Sequence, residues 1–186
     1  MPHTSAILVV DMRNEPVAIA HRAAETVAVI ARLRERATTA PAPVITVQDQ
    51  GAGTGRGTEG RQVVPELAPA DDEAVIHRTT PDSFLDSDLD KVLKAHGVTE
   101  VVVTGFATEI CVDTTTRQAL SHQYDLVLVA HGHTTSVRPD GDAYASPERS
   151  IAHHNEIFRH LDFPGRRIRV LPASAVDFAA VQQLTR

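Results

Sequence analysis

The chain reads as an α/β protein built on a parallel sheet with helices on both faces. Three observations predict this. Strand-like and helix-like segments alternate along the 186 residues. The strand-like runs are apolar at successive positions, which suits strands buried on both faces. The connections are long enough for crossovers, which parallel neighbours require.

The first element is Ala6-Ile7-Leu8-Val9-Val10, closed by Asp11. From Val17 to Arg36 the chain is rich in Ala, Arg, Glu and Leu, with apolar residues at helical spacing; Pro41 and Pro43 end that helix. Val44-Ile45-Thr46-Val47 reads as the second strand. The segment Gln48 to Arg61 carries five of the ten glycines and almost no apolar residues, as a long binding loop or lid would. A short strand at Ala74–Ile76 and a turn at Thr80-Pro81-Asp82 follow, then a helix from Ser87 to His96 stopped by Gly97. Val101-Val102-Val103-Thr104 is the strongest strand pattern. It leads through Gly105–Ile110 into a helix from Cys111 to Ser121. Leu126–Ala130 is the next strand, Pro147–Leu161 a helix, Ile168–Leu171 the last strand and Ala175–Leu184 a terminal helix.

Length fits one domain, here taken as residues 1–186, with a core large enough to need no staple. A net charge of −6 with scattered basic residues argues against nucleic acid or an anionic membrane as partner. The single cysteine excludes an intrachain disulfide and suits a reducing compartment. Neither a signal peptide nor a membrane span is legible, so the expectation is a cytoplasmic protein acting on a small molecule.

Ligands of parallel α/β sheets bind at the carboxyl ends of strands. Asp11 closes the first strand, Arg78 follows the third by two residues, and Cys111 opens the helix after the strongest one. A cysteine at a helix start feels the positive end of the helix dipole, which favours thiolate. A nearby carboxylate can accept its proton, and a fixed cation can hold both anions. Backbone N–H groups along Gly105–Cys111 can stabilise an oxyanion. Each residue also has a plain reading: a capping aspartate, a surface cation, a packing cysteine.

The motifs settle the order of these readings. Leu8-Val9-Val10-Asp11-Met12-Arg13-Asn14 resembles the opening strand of the isochorismatase-like cysteine hydrolases, which runs apolar-apolar-Asp-Met-Gln-Asn. Thr80-Pro81-Asp82-Ser83-Phe84, with Asp88-Leu89 beyond it, is similar to the family segment before the third helix. Thr104-Gly105-Phe106-Ala107-Thr108-Glu109-Ile110-Cys111-Val112-Asp113-Thr114-Thr115 resembles the nucleophile segment over its whole length.

The resemblance implies a three-layer, Rossmann-like fold with a six-stranded parallel sheet, and an Asp–Lys–Cys triad in which Asp11 is general base and Cys111 nucleophile. It implies a cis peptide at Phe106–Ala107, with the Ala107 and Cys111 amides as oxyanion hole. Relatives cleave amide or related C–N bonds through a thioester, while a cysteine-free branch hydrolyses a vinyl ether. Retention of Cys111 favours the first chemistry. Relatives are commonly dimers or larger, which makes a homo-oligomer the expectation.

Three departures matter. The family lysine position is Arg78, a fixed cation that cannot readily shuttle a proton; a catalytically retired fold that binds a small ligand or partner is therefore the competing reading. Asp49 and His131 stand where many relatives have the two types exchanged, and His131 or His133 could face the site and assist proton transfer. The loop Gln48–Arg61 holds Asp49 but no histidine, and His153-His154 are poorly spaced for a metal, so neither a metal nor another cofactor is expected. Phe84 and Phe106 are candidate walls of a substrate pocket entered between the 48–61 and 134–145 loops, with Asp49 and His131 at its edge.

Overall fold

The computed structural model describes residues 4–50, 58–139 and 143–178. Six strands form one sheet: β1 (Ser5–Val10), β2 (Val44–Asp49), β3 (Ala74–Arg78), β4 (Glu100–Phe106), β5 (Asp125–Thr134) and β6 (Ile168–Leu171). Their spatial order is β3-β2-β1-β4-β5-β6, and every pairing is parallel. The helices are α1 (Asn14–Ala18), α2 (Ala23–Thr39), α3 (Leu89–Ala95), α4 (Asp113–Ser121) and α5 (Pro147–His160). No helix among the described residues is long and apolar enough to cross a membrane.

Burial explains the continuous apolar runs. Successive residues of a strand point to opposite faces. Leu8 and Val10 of β1 pack into a core with Leu89 and Leu93 of α3, Leu120 of α4 and Phe158 of α5. Ile7 and Val9 pack on the other face against Ile30, Leu33 and Ala37 of α2. With every residue of β1 buried, neither face tolerates a polar alternation.

Strand order reverses between β1 and β4: the chain first builds outward through β2 and β3, then returns to β1's other side. That crevice is where ligands of such sheets bind. Gly105 permits the close approach there. It pairs with Val10, its φ is +127°, and a Cβ on it would lie 2.1 Å from the Val10 carbonyl oxygen.

Four elements differ from the sequence reading. The expected helix Val17–Arg36 is two helices, because the intervening backbone is recruited elsewhere: the His21 N–H donates to the Thr135 carbonyl and Ala20 bridges to Ser136. Strand β5 runs past Ala130 to Thr134, with a register irregularity that brings His133 opposite Gly105. The helix expected to open at Cys111 begins at Asp113; Thr108–Val112 instead forms a wide, π-type turn. Ala175 closes a short 3₁₀ turn rather than starting a helix, and Val176 and Phe178 lie in the α2-side core, with Arg36 donating to the Ala173 and Val176 carbonyls. Residues 179–184 of that expected helix lie outside the described residues.

Candidate active site

Three side chains meet at the carboxyl edge of the sheet. Asp11 follows β1 in a left-handed conformation, φ +52°, and is buried. Its N–H donates to the Val47 carbonyl, which ties the residue to β2. Arg78 is the last residue of β3, opposite Asp49, and is equally buried. Its guanidinium forks: Nη2 donates to Asp11 Oδ2 and Nη1 to the Thr80 carbonyl oxygen. The other Asp11 oxygen, Oδ1, accepts the Asp49 backbone N–H at 2.9 Å. Cys111 is half-buried in the turn after β4 and feels the charges of both Asp11 and Arg78.

A second cation reinforces the carboxylate. Arg13 Nε lies 4.0 Å from Asp11 Oδ1, and Arg13 Nη2 lies 3.9 Å from Asp49 Oδ2. Sequence reasoning quoted Arg13 within the first motif without giving it a role. The signal was there, since arginine stands where the family pattern has glutamine.

Electrostatics correct one expectation. The helix-dipole argument favours a resting thiolate, but burial pushes the Cys111 thiol up to about 11, with the Asp11 charge adding to the rise and Arg78 opposing it. Cys111 lies in the wide turn that runs into α4, whose first turn carries the acidic Asp113. Burial likewise raises Asp11 above the ordinary carboxylate range, against the pull of Arg78 and Arg13. A buried carboxylate with a raised proton affinity, beside a protonated thiol, forms an acceptor–donor pair ready for proton transfer.

The peptide between Phe106 and Ala107 is cis. The Ala107 carbonyl accepts two N–H groups, from Ile110 at 3.0 Å and Val112 at 3.1 Å, and so closes the turn that carries Cys111. Ala107 and Thr108 are buried within it.

The expected substrate-contacting residues divide. Asp49 joins the cluster through its N–H to Asp11 and its carboxylate near Arg13. Phe106 is half-buried at the end of β4, packed against the α2-side core. Phe84 is buried in the opposite core, with its ring stacked on that of the exposed His122, centroids 4.5 Å apart. His131 is exposed on the irregular part of β5 and lines a cavity of about 260 Å³ shared with His21, His133, Glu148 and Asn155. His133 is fully buried and bonded to Thr108.

A cavity of about 750 Å³ beside the cluster is lined by Asp49, Gln50, Arg61, Gln62 and His77. Another, of about 650 Å³, is lined by Ile110, Arg138, Tyr144 and His153. Residues 51–57 and 140–142 of the two loops expected to flank an entrance lie outside the described residues. Among the described residues no group of three or more His, Cys, Asp or Glu side chains is arranged to hold a metal ion. His153 and His154 have rings 84° apart.

Comparison with known proteins shows the family and the fold. The isochorismatase domain family matches residues 5–148. Streptothricin hydrolase of Streptomyces noursei is 36% identical over 136 residues, which are 70% of this chain and 49% of that protein. The chain thus spans about half the length of that relative. An isochorismatase from Pseudomonas putida superposes with a TM-score of 0.81 at 24% identity, over 95% of this chain and 93% of that one. N-carbamoylsarcosine amidase from Thermoplasma acidophilum gives 0.74 at 23% identity, over 94% and 99%. At such identities the two structures speak to the fold alone.

Proposed function

From the premise that the chain belongs to the isochorismatase family of hydrolases, we propose that it cleaves an amide or related C–N bond of a small molecule, with Cys111 as nucleophile. One observation carries the reading: a buried carboxylate and a buried guanidinium, paired with each other at the switch point of the sheet, both act electrostatically on the chain's only cysteine.

The steps follow from the groups present. Asp11 takes the proton from Cys111 Sγ as the sulfur attacks the substrate carbonyl carbon. The oxygen that becomes negative is met by the Ala107 and Cys111 N–H groups. Asp11 then gives its proton to the departing nitrogen, the C–N bond breaks and a thioester remains. Water, losing a proton to Asp11, attacks the thioester; the acid leaves and the sulfur recovers its proton. Arg78 stays charged throughout and stabilises whichever of Asp11 and the sulfur is negative. Phe106 and Asp49 would border the substrate. Streptothricin hydrolase, by its name a hydrolase, is in keeping with this reading.

The test is intact-protein mass spectrometry after incubation with a panel of small amides and carbamoyl compounds. The expected result is an acyl adduct on the wild type with at least one compound, release of its amine, and neither with Cys111→Ser. Amine release that persists in Cys111→Ser would overturn the reading.

A further inference from the structure

We propose that His133 is a positioning residue for the nucleophile turn, fixing its orientation by accepting a hydrogen bond from the Thr108 hydroxyl. The inference rests on Cys111 being the nucleophile, and it concerns what holds that residue in line with Asp11.

The hydrogen-bond chain has only one consistent direction. Asn155 Nδ2 on α5 donates to the Ala130 carbonyl oxygen at 3.1 Å, which fixes the side-chain amide. Its Oδ1 therefore faces His133 Nε2, at 3.0 Å, and a carbonyl oxygen can only accept. The proton of the ring is thus on Nε2. Nδ1 is left with a lone pair directed at Thr108 Oγ1, 2.9 Å away, so the hydroxyl must donate. His133 and Thr108 are at most 1% exposed, with His133 and Asn155 at the wall of the cavity of about 260 Å³ beside β5. Burial also pushes the His133 ring down to about 4, helped by the nearby His154 and His131 and opposed by the bond to Asn155. The neutral tautomer therefore persists at ordinary pH.

Sheet register explains why this ring is available. The irregularity in β5 lets His133, instead of a residue nearer Leu128, stand opposite Gly105 at the end of β4. Thr108 lies three residues later, at the first position of the turn that ends in Cys111 and Val112. The turn is then pinned from two sides: from within by the Ala107 carbonyl, and from β5 by His133. Glu109 adds an outer anchor, accepting from Thr135 Oγ1 at 2.7 Å and Ser150 Oγ at 3.1 Å.

Because the chain has one cysteine, alkylation by iodoacetamide reads the turn without any substrate. Rates across pH 6–11 would be measured on the wild type, His133→Asn, His133→Gln, Thr108→Val and Thr108→Ser, with melting temperatures alongside. Asparagine can place an acceptor where Nδ1 is, whereas glutamine can reproduce only the Nε2 donor. The expectation is that His133→Asn and Thr108→Ser keep the wild-type pH profile. His133→Gln and Thr108→Val should alkylate about tenfold faster at pH 8, as the loosened turn lets water reach the sulfur and its proton affinity falls by about one pH unit. Wild-type profiles for His133→Gln and Thr108→Val, or shifts that merely track melting temperature across all four variants, would overturn the proposal. Failure of the amide panel to acylate Cys111 would instead count against the hydrolase reading and leave these rates interpretable.

Discussion

Arg78 stands where the family resemblance places a lysine, and in the proposed mechanism it is the fixed cation. A lysine in its place would offer one point charge; the guanidinium offers a fork, and the structure uses both prongs, on Asp11 and on the Thr80 carbonyl. The pair is almost wholly withdrawn from water, so removing one member strands the other. Arg78→Met is expected to abolish amide turnover and lower unfolding stability in urea by about 3 kcal/mol. Arg78→Lys keeps the charge but loses a prong, and turnover should fall by no more than about tenfold. A large gain on Arg78→Lys would mean that arginine hinders the reaction. The chemical types at Asp11 and Cys111 were legible in the sequence because their motifs are long and ordered. The rise in the Cys111 thiol was not, because it comes first from burial, which packing between distant parts of the chain sets.

At the scale of elements, the site depends on how closely β4 can approach β1. Gly105 is the only residue type that fits, since a methyl group there would overlap the Val10 backbone and the φ of +127° disfavours any L side chain. Gly105→Ala should destabilise the fold by about 4 kcal/mol in chemical unfolding, at the severe end for a single substitution, because neither backbone can yield without breaking the β1–β4 ladder. If it unfolds at the wild-type denaturant concentration, the close approach is not a real constraint. Strand positions were readable from apolar runs, since burial on both faces leaves a one-dimensional signature. The ends of elements were less so. The break between α1 and α2, the length of β5 and the non-helical Val176–Phe178 segment all arise where a distant backbone or an arginine supplies hydrogen bonds that compete with the local helix.

Across the whole molecule, the edge of the sheet opposite the site is held by charge. Glu100 at the start of β4 is buried and accepts from Arg169 Nη2 at 2.5 Å, Arg167 Nη2 at 3.4 Å and Ser5 Oγ at 3.0 Å, which links β1, β4 and β6 across β5. The two arginines are partly solvated while the carboxylate is not. Loss of a cation should therefore cost more than loss of the acid. Arg169→Ala is expected to destabilise by about 2 kcal/mol, Glu100→Gln by less than about 1 kcal/mol, and the double variant by less than Arg169→Ala alone. Equal costs in urea unfolding would show that the asymmetry of burial is irrelevant. The sequence by itself determined the α/β class, the family and the residue types at the rim of the sheet, because apolar patterning and contiguous motifs are properties of neighbours along the chain. Only the tertiary structure decided that Arg13 joins Asp11, that Phe84 is core, that His131 faces another cavity and that His133 bonds to Thr108. Those outcomes depend on register between strands and on contacts between residues tens of positions apart, which no local pattern encodes.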